Sequence, residues 1–325
     1  MNLPDRNSSL DELKPFSDID YIITDLDGTF IQYGEGVWEQ LCGIQSKLYH
    51  SNQVITIATG RTYFGMISIA ESIKIRNNTP ICLYNGAVVM SYGSQNILYQ
   101  KTIPNSVLFD LCKLIDFNKH NLLAYYFQID DNKNIVESVH GFGKKTSKYD
   151  FNGMEITWHN IEEIDYAFYS SYNMLNNKAH LIDNIGFPLN TNVPEASSIL
   201  IDKNIIQDID AKISNYLLSS NLVSSTQSGS SFYEVRAFGV NKGSIFDCIK
   251  KITNAKCVAI GDNDNDIELL RNADIGVAVA NASSEALEYA DFICHYSGTK
   301  GVLELLEVIK SANRYCERGK KYEVK

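Results

Sequence analysis

No stretch of the 325 residues approaches the about 20 consecutive apolar positions that a membrane-crossing helix needs. The seven cysteines (Cys42, Cys82, Cys112, Cys248, Cys257, Cys294 and Cys316) are scattered and never spaced C-x-x-C, and the six histidines show no metal-ligand spacing. A disulfide framework and a zinc site are therefore not expected; reduced, mostly buried thiols are. Excess positive charge is missing as well, since 29 Lys and Arg face 39 Asp and Glu for a formal net charge of −10. Binding to a nucleic-acid backbone rests on clustered cations that release counterions, so nucleic acid is not an expected partner. A small substrate or a divalent cation fits this balance better. The opening MNLPDRNSSLDELKPF is polar where a signal peptide would be greasy, so the expected location is cytoplasmic, with no membrane partner. The chain shows neither an internal repeat nor a low-complexity tract.

What is present is an alternation. An apolar run at Tyr21 to Thr24 precedes a helical stretch around Trp38, Leu41, Ile44 and Leu48, and then QVITIA at 53 to 58. A second helix, with Phe64, Ile67, Ala70 and Ile73 on one side, leads to ICLY at 81 to 84. Short apolar strands alternating with amphipathic helices predict an α/β fold, a parallel sheet covered on both faces. The rhythm returns late: helix SIFDCIKKI (244 to 252), strand CVAI (257 to 260), a helix from Asp264, strand IGVAVA (275 to 280), and helices at 283 to 290 and 302 to 309. Between them the texture is β-rich, as in LLAYYFQI (122 to 129) and NIVESVH (134 to 140), joined by the turn signal DDNKN. The expected organisation is a polar extension (1–18), a discontinuous core (19–88 and 233–310), an inserted α+β cap (89–232), and a basic tail (311–325) that frays. Tyr125, Tyr126 and Phe127 are expected in the core of the inserted part.

Ligands of open α/β sheets bind beyond the carboxyl ends of the strands. Four polar clusters fall at such ends: Asp25 and Asp27, Thr59-Gly60-Arg61, Asn241-Lys242-Gly243, and GDNDND at 261 to 266. Two aspartates one residue apart repel, and each raises the other's cost of ionising. A pocket that gathers Asp25, Asp27 and Asp262 therefore implies a hard, oxygen-loving cation, most economically Mg²⁺. Phosphoryl transfer follows from that set: a carboxylate can attack phosphorus, a second can shuttle the proton, and a lysine and a hydroxyl can bind the phosphoryl oxygens. Asp25 suits the nucleophile and Asp27, past a turn freed by Gly28, the acid/base; Lys242 and Thr59 suit the anion. DNDND has the 1, 3, 5 spacing of an EF-hand, but Ile267 and Ala273 stand where that loop needs Gly and Glu. GVNKGS lacks the G-K-[ST] order of a P-loop. Thr59 could also cap the helix that begins near Thr62. Arg61 is open between a bridge to the cap or substrate and a surface salt bridge, and Asn85-Gly86 reads as a turn at a hinge.

D-x-D-G-T at 25 to 29, T-G-R at 59 to 61, N-K-G at 241 to 243 and G-D-N-D-N-D at 261 to 266 together resemble the haloacid dehalogenase superfamily of phosphatases, in particular its Cof-like branch. The resemblance implies a Rossmann-like core with a large cap inserted after the second motif, and a small-molecule phosphate ester as substrate. It implies that Asp25 is nucleophile and metal ligand, and that Asp27 is acid/base with its backbone carbonyl on the metal. Asp262 would ligate Mg²⁺ and Asp266 would support the metal shell. Thr59, Gly60, Lys242 and Asn265 would hold the phosphate, helped by the Leu26 N–H. A phosphoryl-transferring sugar mutase, or a catalytically silent binding protein on the same fold, are the alternative readings.

Overall fold

The computed structural model describes residues 1–5, 7–32, 43–45, 53–117, 120–143, 156–159, 194–202, 211–228 and 232–323. Its contacts divide the chain into two units, residues 1–100 with 241–325, and residues 101–240. The first segment carries helix α1 (Leu10–Leu13), strands β1 (Tyr21–Thr24) and β2 (Val54–Ile57), helix α2 (Tyr63–Ser72), and strands β3 (Pro80–Leu83), β4 (Val88–Ser91) and β5 (Ile97–Gln100). The middle segment carries α3 (Asn105–Leu114), β6 (Leu122–Ile129), β7 (Ile135–Phe142), β8 (Ile156–His159), β9 (Ser198–Asp202), α4 (Ala211–Ser219), β10 (Val223–Ser228) and β11 (Phe232–Ala237). The last segment adds α5 (Ser244–Ile252), β12 (Cys257–Gly261), α6 (Ile267–Asn272), β13 (Ile275–Ala278), α7 (Ser284–Tyr289), β14 (Phe292–Ile293) and α8 (Gly298–Glu323).

In the first unit the strands lie in the order β14-β13-β12-β1-β2, every neighbouring pair parallel. β1 sits between β2 and β12, with Tyr21 opposite both Val54 and Cys257. That position explains why Ile22 and Ile23, which point to opposite faces, are both fully buried. Of the first expected helix only Ile44 is described, buried within a helical turn at 43–45; Trp38, Leu41 and Leu48 lie outside the described residues.

The structure differs from the expectations in five respects. The run at 81–84 does not extend the parallel sheet. Its strand, β3, pairs antiparallel with β4 in a three-stranded meander, and meets β2 through the single bridge Ala58↔Cys82. Because that meander is continuous with β3, β4 and β5 belong to the first unit, and the unit limits fall at 100/101 and 240/241 where 88/89 and 232/233 were expected. The buried face of α2 is Met66, Ile69, Ala70 and the following Ile73, while Phe64 is 46% exposed. The N-terminal segment is packed and not a polar lead-in. Leu3 N–H donates to Ile293 O at 2.7 Å and Ile293 N–H to Met1 O at 2.7 Å, which covers the sheet edge at β14. Ser9 and Glu12 form a reciprocal cap on α1, and Leu13 and Phe16 are fully buried, Phe16 against Phe292 at 4.9 Å between ring centres. The tail does not fray at Lys310 either: α8 continues to Glu323, and Leu305, Val308, Ile309 and Ala312 make one buried stripe.

The second unit is a six-stranded sheet, β10-β11-β9-β6-β7-β8, antiparallel except between β7 and β8. Tyr125, Tyr126 and Phe127 on its central strand are all buried. α3 and α4 touch each other, Tyr216 donating to Asp110 Oδ2 at 3.2 Å. The cysteines described, Cys82, Cys112, Cys248, Cys257 and Cys294, are buried free thiols. No helix among the described residues is long and apolar enough to cross a membrane.

Candidate active site

The parallel register of β1 and β12 sets two acid-bearing loops side by side. Asp25 N–H still donates to Ile260 O at 3.0 Å, one step past the last residues paired between β1 and β12, and the loop that begins at Asp262 leaves β12 close to the same level. Ala58 N–H donates to Thr24 O at 2.9 Å, which delivers Thr59 and Gly60 to the same end of the sheet. Asp25, Thr59, Gly60, Lys242, Asp262 and Asp266 are thereby gathered within one unit.

Asp25, Asp262 and Asp266 each bring a carboxylate oxygen within 4.8 Å of the others. Lys242 enters from the start of α5 and shares its ammonium between two of them, 2.6 Å from Asp25 Oδ1 and 2.7 Å from Asp266 Oδ1. Lys242 is 1% exposed, Asp25 4% and Asp266 0%. Burial pushes the Asp25 carboxyl well above the usual carboxylate range, and Asp266 beside it adds to the rise against the pull of Lys242. Burial raises Asp262 too, opposed by its hydrogen bond from Thr29. For Lys242 burial alone would lower the value; Asp25 and Asp266 outweigh it and hold the ammonium charged. Burial is the main cause for both carboxyl groups, and the like charge of Asp266 adds to each rise because three acids share one buried base.

Asp266 is the structural pivot of the fourth motif. Its Oδ2 accepts from the N–H groups of Asp262 at 3.0 Å and Asn263 at 3.1 Å, while Oδ1 faces Lys242. Asp262 is held from the other side by Thr29 Oγ1, which donates to its Oδ1 at 2.7 Å. Between them the chain turns at Gly28, with φ +94°, where a Cβ would collide with the Asp262 carboxylate.

Asp27 stands apart from this cluster. Arg61 grips it with both arms, Nε to Oδ2 at 2.9 Å and an Nη to Oδ1 at 2.6 Å, and also donates to Gly65 O at 2.9 Å. Of the readings left open for Arg61, the structure gives an ion pair, and its partner is an aspartate of the first motif. Thr59 does not cap α2; Thr62 does, accepting from Gly65 N–H at 3.0 Å. Thr59 is fully buried and its hydroxyl accepts from Arg61 N–H at 3.1 Å. Asn265 donates to Asn85 Oδ1 at 3.1 Å, and Asn85 N–H donates to Thr59 O at 2.9 Å, so Asn85 ties the second and fourth motifs together. Gly60 lies against the Asn85 amide, and Leu26 is fully buried.

Sequence reasoning missed Thr29, Asn85 as a tie, and Asn281, whose side chain donates to Gly28 O at 3.1 Å and accepts from Gly298 N–H at 2.8 Å. Asn85 carries a signal that could have found it: an Asn-Gly pair after a strand marks a positive φ, and here Asn85 has φ +52°.

Comparison with known proteins places this geometry in a family. The model of the haloacid dehalogenase-like hydrolases matches residues 22–306. A phosphoglycolate phosphatase of Saccharolobus solfataricus is 43% identical over 77 residues, 23% of this chain and 33% of that protein. The alignment thus spans about a third of the length of that relative. MG265 of Mycoplasma genitalium, provisionally named a phosphatase, is 26% identical over 288 residues, 85% of this chain and 92% of its own. Among solved structures the subclass IIB sugar phosphatase BT4131 superposes with a TM-score of 0.62 at 17% identity, over 90% of this chain and 98% of that one. That likeness is one of fold. The matched span starts on β1, crosses every acid-bearing loop and ends within α8, and the chain belongs to the haloacid dehalogenase-like hydrolases.

Proposed function

We propose that this chain is a divalent-cation-dependent phosphatase that hydrolyses a small phosphorylated metabolite, a sugar phosphate or phosphorylated cofactor, through an aspartyl-phosphate on Asp25. The observation that carries the reading is the set Asp25, Asp262 and Asp266 at the carboxyl ends of parallel strands, with Asp25 and Asp266 buried on one lysine and Asp262 partly exposed. Membership in a hydrolase family and the names of the sugar phosphatase and the phosphoglycolate phosphatase support it.

The donor set fits a hard cation, because it offers carboxylate oxygens and neither thiolate nor imidazole. Asp25 and Asp262, with the Asp27 backbone carbonyl, would hold Mg²⁺, and Asp266 would orient them. When bound, the cation supplies positive charge to the phosphoryl oxygens. Asp25 attacks phosphorus through one carboxylate oxygen, the bond from phosphorus to the ester oxygen breaks, and Asp27 gives that oxygen its proton. Asp27 next takes a proton from water as the water oxygen attacks phosphorus, the acyl-phosphate bond breaks, and orthophosphate leaves with Asp25 restored. Arg61 engages both oxygens of Asp27, so this role requires their pair to open first. Lys242, Thr59, Asn265 and the N–H groups of Leu26 and Gly60 are the donors assigned to the phosphoryl oxygens. Substrate choice is assigned to the second unit, which is inserted in sequence between the two segments of the first.

The test is release of orthophosphate from a panel of phosphorylated metabolites by EDTA-stripped protein before and after Mg²⁺ is added. Release that depends on Mg²⁺ is expected. Absence of release from every member of a broad panel overturns the phosphatase reading, and release indifferent to chelation overturns the cation.

A further inference from the structure

Arg236 on β11 is 5% exposed, and its Nε is buried without a hydrogen-bond partner. One Nη donates to the neutral hydroxyl of Thr226 at 3.2 Å, and among the described residues no carboxylate forms an ion pair with it. Arg61 in the same chain shows the contrast, its fork filled by Asp27 and Gly65 O. A guanidinium stays charged at any ordinary pH, so removing one from water without an anion is costly and is not relieved by losing a proton. Among the described residues, neighbouring groups do not supply the anion. Glu234 shares the face of β11 two residues away, but stands beyond ion-pair distance and accepts instead from Ser198 Oγ at 3.4 Å.

The surroundings are rich in hydroxyls. Ser224 lies directly across from Arg236 on β10, and Thr226 across from Glu234. On the other side the β9 ladder ends at Val235↔Ile199, and one more step in the same register brings Ser198, 5% exposed, beside Arg236. The hydroxyl groups of Ser224 and Thr226 beside the buried guanidinium can donate to whatever oxygen atoms the guanidinium holds, while Ser198 Oγ donates to Glu234. Two adjacent N–H groups of the fork match two oxygens of a carboxylate, phosphate or sulfate better than they match a spherical ion.

We propose that Arg236 is the centre of an anion-binding site on the sheet of the second unit, which takes the oxyanion group of a small molecule at its Nε edge with the flanking hydroxyls of Ser224 and Thr226. The site goes beyond the phosphatase reading and does not depend on it, since every residue involved lies within residues 101–240.

The test uses the full chain with EDTA present and follows the ¹⁵N-arginine Nε–Hε signal of Arg236, assigned by its loss in Arg236→Lys. Sulfate, orthophosphate and succinate are titrated separately against chloride at matched ionic strength. A saturable shift of that signal with at least one oxyanion, absent with chloride, is expected, and the oxyanion that saturates earliest identifies the ligand group as tetrahedral or planar. A signal that does not move, or that drifts with ionic strength alone, overturns the site. Thermal unfolding supplies an independent reading: in oxyanion-free buffer Arg236→Met is expected to melt no lower than wild type, because an unpaired buried charge has been removed. A clear fall, or failure to fold, would mean that the protein itself already satisfies the guanidinium, and the proposal would be withdrawn.

Discussion

Lys242 Nζ lies 2.6 Å from Asp25 Oδ1 with both residues shut away from water, although 217 positions separate them in sequence. The same ammonium reaches Asp266 Oδ1 at 2.7 Å, so one cation neutralises parts of two buried acids. Removing it leaves those acids facing each other. Breaking a buried pair from one side costs about 3–5 kcal/mol, because the remaining charge is uncompensated. Lys242→Met is therefore expected to lower the melting temperature strongly in EDTA, and by less with Mg²⁺ present, since a bound cation replaces part of the missing charge. Phosphatase activity is expected to vanish in both. Equal destabilisation with and without Mg²⁺ would show that no cation shares this cluster.

Asp25→Asn separates chemistry from stability. The amide keeps the shape of the side chain but cannot form the acyl-phosphate, so orthophosphate release is expected to fall by at least about 1,000-fold. Asp25 is an acid whose ionisation is opposed by burial and by Asp266, so losing its charge is not expected to weaken the metal-free fold. Melting in EDTA should stay within a few degrees of wild type. Substantial residual turnover would remove Asp25 as nucleophile, whatever happens to the melting curve.

Much of this site was legible because its residues sit where sequence signals are strongest. Asp25, Thr59 and Asp262 each follow a short apolar run directly, and strand ends in a parallel sheet converge whatever the rest of the chain does. Positions that depend on what packs against them were less legible. β3 has the composition of a parallel strand, and only its pairing with β4 makes it part of a meander. The side expected to be buried in α2 kept Ala70 and Ile73, but tertiary packing buried Met66 and Ile69 in place of Phe64. Leu3, Leu13 and Phe16 were too widely spaced to reveal a packed segment, since a four-residue helix shows no period. The Asp27–Arg61 pair joins residues 34 positions apart, a choice of partner that charge alone does not specify.

Asp27→Asn tests the proton shuttle through the leaving group. A general acid contributes about 10²–10⁴-fold where the departing oxygen is strongly basic, and little where it leaves unaided. The loss is expected to be large for an alkyl phosphate ester and several-fold smaller for p-nitrophenyl phosphate, measured as kcat on both substrates. Since Asp27 is about one-third exposed and paired with Arg61, the variant should cost no more than about 1 kcal/mol in stability. Equal losses on the two esters would assign Asp27 a positioning role instead.

Gly28 joins the turn to the fourth motif, and its replacement tests whether the carboxylate cluster depends on that turn. Its φ of +94° is unfavourable for any residue with a Cβ, and the added methyl would meet the Asp262 carboxylate, whose Cγ lies 2.9 Å from that position. Thr29 next along the chain donates to Asp262, so a shift of the turn also moves the hydrogen bond that holds this acid. Gly28→Ala is therefore expected to cost about 1–3 kcal/mol of stability and to weaken Mg²⁺ binding at least tenfold, read by calorimetric titration of the folded variant. The strain and the cation should separate in the data: Asp262→Ala in the Gly28→Ala background removes the clash but not the unfavourable φ, and should recover part of the lost melting temperature without restoring Mg²⁺ affinity. Full Mg²⁺ affinity in Gly28→Ala would mean that Asp262 is free to move aside, and its place among the cation ligands would be lost.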